Sequence, residues 1–466
     1  MGTERAHVDE GTSRELSGFV RELMGEHGIP GVVVGIHADG EDHVLAFGVT
    51  SVEHPLPVDE DTLFQIGSTT KTVTATVLMR LVERGQVDLD ARVRTYVPEL
   101  ELADPYAAER VTVRHLLTHT AGWAGDHFVD TGDGDDALAA YVESMATLRQ
   151  VTPVGELWSY NNAAFVLAGR VVEAAHGASY EQAARTLVLE PLGMTGSFFF
   201  PKEVMLHRFA VGHVVGASGT IVARPWPIPR NANAAGGLAS SIRDQLRYAR
   251  FHMGDGRAED GSRVLEESTV KAMQVPQVAA AVGAQMGLSW HLDDVDGCRI
   301  VAHGGATNGQ MSSFWMAPGR GFAFTALTNA DTGRSALRSL DRWARRRFLG
   351  LRETDPELIP MHAEELGAYR GTYVAAIVED RTGADDRLEV VPEGSGLRVR
   401  LVPGDPSGIS ETPPDPPPPF SMHFYEPDRV MITSGPYAGA RAEFLRNRDG
   451  SVAWLRMGMR LHARQP

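Results

Sequence analysis

A short strand-like segment, a glycine, and then a serine three residues ahead of a lysine open an apolar helix, and this order of elements restricts the fold more than any other stretch. The segment reads Phe64-Gln-Ile-Gly67-Ser68-Thr-Thr-Lys71, and apolar residues follow at 73, 77, 78, 81 and 82. That spacing is the stripe of a helix with a buried face, and Gly85 supplies its stop. On such a helix Ser68 and Lys71 stand one turn apart on the same face. Only three of the 44 basic residues are lysines. A guanidinium keeps its charge wherever it is placed, whereas a buried ammonium can lose its proton, so the lysine here has a chemical use. A serine hydroxyl is a poor nucleophile until a base takes its proton, and a desolvated amine at a helix start can play or assist that role. The positive helix end favours the negative charge that develops.

A second stretch of the same form, Ser268-Thr-Val-Lys271, follows Glu266-Glu267 without the glycine or the strand. It reads as a serine N-cap opening a short helix.

Two further motifs accompany Ser68. Trp158-Ser-Tyr160-Asn161-Asn162 precedes a second apolar helix, and His303-Gly304-Gly305-Ala306-Thr-Asn-Gly309 precedes the strand-like Met311–Met316. With these three motifs in this order, and the softer Leu116–Gly122 and Ala235–Leu238 stretches, roughly residues 12 to 350 resemble the serine β-lactamase and penicillin-binding superfamily. The branch is the class C-like one of esterases, D-aminopeptidases and DD-peptidases. The resemblance implies Ser68 as nucleophile and Lys71 as its proton partner. It makes Tyr160 a phenol held partly ionised by neighbouring cations, which passes the proton to the leaving group, and Asn162 a group that positions Lys71 and the substrate. The implied oxyanion hole is the backbone N–H groups of Ser68 and Ala306, an arrangement that typically supplies a few kcal/mol. Trp123, Trp158, Gly304 and Gly305 are the expected pocket residues.

His303 stands where dedicated β-lactamases carry lysine. An ammonium beside a hydroxyl receives a free carboxylate, whereas an imidazole near pH 7 is neutral much of the time and anchors anions weakly. Poor β-lactam turnover is therefore expected, with His303 still able to tune Tyr160. Esterase, amidase, aminopeptidase and acyl-transfer activities go with histidine at this place in the family.

Other features take plainer readings. His115 and His119 are four residues apart on a short helical stretch, but the inner Glu and third ligand of a zinc protease are missing, so both are read as structural. The acidic run Asp126 to Asp136 lacks the calcium-loop order and reads as a solvated loop bordering the cleft. No metal or cofactor is called for. Trp123, Phe128, Trp158 and Trp226 lie beside the motifs and are candidates for an apolar acyl pocket or for core. The basic cluster from Arg342 to Arg347 lies late in a helix, where cations suit the dipole.

At 466 residues and 43% apolar, the chain can bury a large core in two domains. A net charge of −16 repels phosphate backbones and anionic membrane surfaces, which excludes nucleic acid and membrane as partners. The N-terminus lacks an apolar h-region, no run is long enough to span a bilayer, and the single cysteine, Cys298, cannot form an internal disulfide. A cytoplasmic enzyme acting on a small-molecule or short-peptide acyl substrate is expected, with the oligomeric state left open.

The expected fold class is α/β: a β-lactamase-like α/β sandwich with a helical lobe, residues 1–352, then a linker at 353–361 and a small C-terminal antiparallel β domain at 362–466, similar to a lipocalin-like barrel. The sandwich begins with an amphipathic helix carrying Leu16, Phe19, Val20 and Leu23 and a hairpin across Asp39-Gly40, and it closes with strands near 286–291, 299–303, 311–317 and 321–328 before a helix at 334–348. Period-two segments at 369–374, 388–391, 397–401, 429–433, 442–445 and 452–455 supply the barrel, with the proline run Thr412–Pro419 as a surface spacer. The leading functional reading is a serine hydrolase that forms an acyl-enzyme on Ser68 and hydrolyses an ester or amide. Its alternatives are an acyltransferase, of the transacylase or penicillin-binding-type thioesterase kind, that gives the acyl group to an amine or alcohol, and a silent ligand-binding homologue.

Overall fold

In the computed structural model, residues 7–375, 387–402, 418–435 and 437–465 are described. The central sheet has eight antiparallel strands in the spatial order Glu41–Gly48, Gly31–Ala38, Phe322–Thr328, Gln310–Ala317, Cys298–Thr307, His291–Val295, Gln285–Met286 and Val278–Ala279. The N-terminal hairpin turns at Asp39 and Gly40, both at positive φ (53° and 82°), the backbone that a tight Asp-Gly turn requires. It then pairs with a strand nearly 300 residues later, Val33 opposite Leu327.

Both faces of this sheet are covered. Val32, Val34 and Ile36 point into a core shared with Leu16, Val20 and Leu23 of the helix Glu10–His27 and Leu337 and Leu340 of the helix Gly333–Leu349. Val33 points the other way, into the larger core of the helical lobe. The alternation along an unbroken apolar run is what a strand sandwiched between two helical layers needs.

The helix Thr70–Glu83 carries the Ser-x-x-Lys motif into that lobe and packs on the helix Asn162–His176. It is buried on nearly every side, not on one stripe alone. Its threonines are hydrogen-bonded instead of solvated: Thr74 Oγ1 lies 2.8 Å from the Tyr180 hydroxyl and Thr76 Oγ1 2.8 Å from that of Tyr248.

The C-terminal strands close into an eight-stranded antiparallel barrel. Two of them, Phe420–Glu426 and Arg460–Arg464, have no counterpart among the sequence segments above. Tyr373, Leu388, Val399, Phe424, Phe444 and Leu455 fill the interior, with Leu366 and Tyr369 packed against them, so the barrel is built round a solid core. Between the helix ending at Leu349 and the short helix Ala363–Leu366 that leads into the barrel the chain has no regular structure; Leu351 is buried, and the Ile359 N–H donates to Phe424 O at 2.8 Å. Of the proline run, Thr412 to Pro417 lie outside the described residues. Among the described residues no helix is long and apolar enough to cross a membrane.

The second Ser-x-x-Lys stretch differs from its expectation in one detail. The helix Glu267–Met273 is capped by Glu266, so Ser268 lies inside its first turn and not at the cap, and Lys271 is exposed and pairs with Glu267.

Candidate active site

Ser68 lies in a 3₁₀ turn, Gly67–Thr69, that leads straight into the helix carrying Lys71. Lys71 Nζ donates to Ser68 Oγ at 3.0 Å and to Ala235 O at 2.5 Å, and faces the rings of Tyr160 (5.1 Å) and Phe165 (5.6 Å). It has no exposed surface. Burial drives its ammonium well below the ordinary value, the Arg460 charge adds to the drop and Asp126 opposes it. The amine can therefore take the serine proton.

The expected oxyanion donors come together through close backbone packing. At Gly67, with φ 52°, a Cβ would sit 2.5 Å from Ala306 N; at Gly305 it would sit 1.9 Å from Ile66 O and 2.8 Å from Ser68 N. Ser312 Oγ, on the neighbouring strand Gln310–Ala317 opposite Gly305, holds the segment before the serine turn by donating to Ile66 O at 2.7 Å. Gly305 is thus the point where the strand Cys298–Thr307 presses on the serine turn, a different task from lining a pocket. Gly304 and Ala306 are exposed, which leaves that strand open to a substrate.

Tyr160 is 4% exposed and sits among three imidazoles: His119 at 4.3 Å between ring centres, His303 at 6.1 Å and His291 at 6.3 Å. Burial pushes its phenol above the ordinary value, while Ser68 and Arg460 pull it only part of the way back. The partly ionised phenol expected from the sequence is replaced by a protonated one, because desolvation outweighs the nearby cations. His303 Nδ1 donates to Gly304 O at 2.7 Å, which leaves Nε2 as a buried lone pair without a hydrogen-bond partner. Burial, His291 and Lys71 hold this imidazole well below its usual pKa. Burial takes His291 down to about 4.

Asn162 departs from its expected task. Its Nδ2 donates to Asp126 Oδ1 at 2.7 Å, and no hydrogen bond joins it to Lys71; the neighbouring Asn161 caps the helix through Ala164 N. Asp126 is the reason. Arg460 Nε and Nη2 reach its two oxygens at 2.7 and 3.0 Å, and this cation, with Asn162 and Lys71, brings the carboxyl below its usual range although burial alone would raise it. The head of the acidic run is thus part of the site, while Arg230 binds Asp135 and the Asp133 carbonyl farther along.

Arg460 belongs to the barrel, and it was absent from the sequence reading. Its guanidinium lies 4.6 Å from the centre of the Tyr160 ring. Beside it Met459 O accepts the Tyr160 N–H at 2.9 Å, and the Leu461 N–H donates to Ser159 Oγ at 3.2 Å. Arg456 donates to Ala280 O at 3.2 Å and pairs with Glu443, which accepts the Val282 N–H at 3.1 Å. The last hairpin of the barrel therefore forms one wall of the site.

Of the aromatic candidates, Trp158 is buried against His119, His291 and Arg456, and Trp123 lines a small cleft with Asp126, Ser159 and Arg460. Trp226 packs on Phe209, and Phe128 is exposed. His115 closes a capping box on the helix Val113–Leu117, and His119 lies beyond that helix, so the two do not share a helical face.

A family model described as Beta-lactamase matches residues 16–347. The chain belongs to the beta-lactamase family. Within it, penicillin-binding protein 4 of Amycolatopsis lactamdurans is 36% identical over 365 residues, 75% of this chain and 94% of that protein. Esterase EstB of Burkholderia gladioli is 32% identical over 286 residues, 57% of this chain and 72% of the esterase. Among solved structures, SurE superimposes with a TM-score of 0.73 at 27% identity, covering 98% of this chain and all of SurE. The octameric penicillin-binding protein homologue from Pyrococcus abyssi gives 0.64 at 25% identity, with 97% and 99% covered. Both matches extend through the barrel. Membership makes this a β-lactamase-fold protein of a serine hydrolase family that includes esterases and penicillin-binding proteins.

Proposed function

We propose that this protein forms an acyl-enzyme on Ser68 from an ester or amide of a small molecule or short peptide and hydrolyses it. The contact between Ser68 Oγ and the buried, proton-poor Lys71 amine carries this reading. Lys71 takes the hydroxyl proton as Oγ bonds to the carbonyl carbon, and the N–H groups of Ser68 and Ala306 hold the oxygen that becomes negative. Tyr160, protonated at the start, gives its proton to the departing amine or alcohol as the acyl bond breaks, and Lys71 returns its own proton to Tyr160. Deacylation runs the same steps backwards with water.

A short peptide is the favoured acyl donor. A protein 36% identical is named a penicillin-binding protein, and SurE has been solved with D-Leu, a D-amino acid. His303, held towards its neutral form, suits donors without a free carboxylate beside the scissile bond better than β-lactams. The barrel hairpin beside Tyr160 supports a second reading, transfer of the acyl group to an amine or alcohol held against that wall. The lone, buried Cys298 supports action in a reducing, cytoplasmic compartment.

The test is peptide mapping after a fluorophosphonate probe. A single adduct on Ser68, lost in Ser68→Ala and kept in Ser268→Ala, is the expected result; a folded protein without it has no activated serine. Competing amines then separate the two readings, because a transferase forms the amide faster than the acid.

A further inference from the structure

The segment that carries Tyr160 has no regular structure and belongs to no sheet, so its backbone N–H groups need acceptors from elsewhere. Four consecutive ones have them. Ser159 N–H goes to His119 O at 3.1 Å, Tyr160 N–H to Met459 O at 2.9 Å, Asn161 N–H to His119 Nδ1 at 3.0 Å and Asn162 N–H to Gly125 O at 2.9 Å. One residue, His119, therefore holds the amides on both sides of the tyrosine, one with its main chain and one with its side chain.

The rest of its setting serves the same segment. His119 is 1% exposed, its ring lies 4.3 Å from that of Tyr160 at 30°, and its other neighbours are Phe165 at 5.1 Å and the edge of Trp158 at 6.1 Å. Accepting a proton at Nδ1 requires an imidazole that is unprotonated there. Burial, Lys71, His291, His303 and Arg460 all favour the neutral form. Two features cost stability: the residue sits at φ 56°, where a side chain is strained, and its Nε2 is buried with no hydrogen-bond partner. A residue kept for packing alone has no need of either.

We propose that His119 is a positioning residue for Tyr160: its carbonyl and Nδ1 bracket the tyrosine so that the phenol stays in register with Ser68 and Lys71. The inference rests on the acyl-enzyme reading above. His119→Asn and His119→Gly separate its parts. Both residues accept the left-handed backbone, but only asparagine offers a side-chain oxygen at the branch point that Nδ1 occupies. Each purified full-length variant is titrated with the fluorophosphonate probe, and the maximal labelling rate is read apart from the half-saturating concentration. Amide exchange of residues 158–162 is followed alongside.

The asparagine variant is expected to keep its maximal rate within about threefold, and the glycine variant to lose at least about tenfold with the half-saturating concentration unchanged. Faster exchange of the Asn161 amide should accompany the loss. Equal rates in the two variants, or a change confined to the half-saturating concentration, overturn the proposal. Should the glycine variant fail to fold, a folded His119→Asn protein slowed more than about tenfold overturns it as well. Wild-type protein that is never labelled removes the acyl-enzyme reading and this inference together, whereas a labelled wild type matched by His119→Gly removes the inference alone.

Discussion

An amine with no exposed surface, a serine hydroxyl and one carbonyl as partners and Arg460 nearby is held towards its neutral form by its surroundings. The unfolded chain would bind a proton there that the folded chain does not, from the depressed native pKa up to the ordinary lysine value of 10.5. Stability at this residue therefore rises with pH across that window, so Lys71 costs stability at neutral pH. Lys71→Met should melt at a higher temperature than wild type near pH 7, with the gap narrowing towards pH 10, in paired thermal melts. Lys71→Met and Lys71→Arg should both slow fluorophosphonate labelling by about a thousandfold, since neither can take the serine proton. Arginine that restores the rate would assign Lys71 an electrostatic role instead. At this scale Ser68 and Lys71 were readable from the sequence because a serine and a lysine three positions apart, at the head of an apolar helix, form a local pattern. The protonation state of Tyr160 was not, because burial is set by distant segments: the cations that the sequence suggested are present, and desolvation outweighs them.

Elements meet at the site with little room to spare. The strand Cys298–Thr307 touches the serine turn at two glycines, and a methyl group on Gly305 would occupy the space of Ile66 O. Gly305→Ala should push this strand off the turn and part the N–H groups of Ser68 and Ala306. Labelling should fall by about a hundredfold or more, the usual cost of losing one such donor, while far-UV circular dichroism stays unchanged. An alanine variant labelled at the wild-type rate would mean that the two donors do not act together. The sequence marked Gly305 through its motif but assigned it to a pocket wall, since the approach of two backbones from residues 67 and 305 leaves no local trace. The same limit hid Arg460–Arg464. Its Arg-Leu-His-Ala-Arg pattern lacks the β-branched or aromatic residues that marked the other segments, and it is a strand because barrel closure pairs it with both Gly371–Ala375 and Val452–Met457.

Across the whole molecule, the link between the barrel and the catalytic part runs through the residues that surround Tyr160. Asp126 and Arg460 are 334 positions apart, and neither has another strong charge partner as close. Removing one side leaves the other charge mostly buried, so Asp126→Asn and Arg460→Met should each cost up to about 3–5 kcal/mol in chemical unfolding, and the double variant should cost less than their sum. Stability alone would suit a simple interdomain strut. The position of the guanidinium over the Tyr160 ring predicts more, namely that Arg460→Met labels Ser68 more slowly even in folded protein, and that adding Asp126→Asn restores stability without restoring the rate. If the double variant recovers both, the barrel only braces the site. If it recovers stability alone, the barrel contributes a working side chain, and the catalytic unit is the whole chain instead of the family domain matched over residues 16–347.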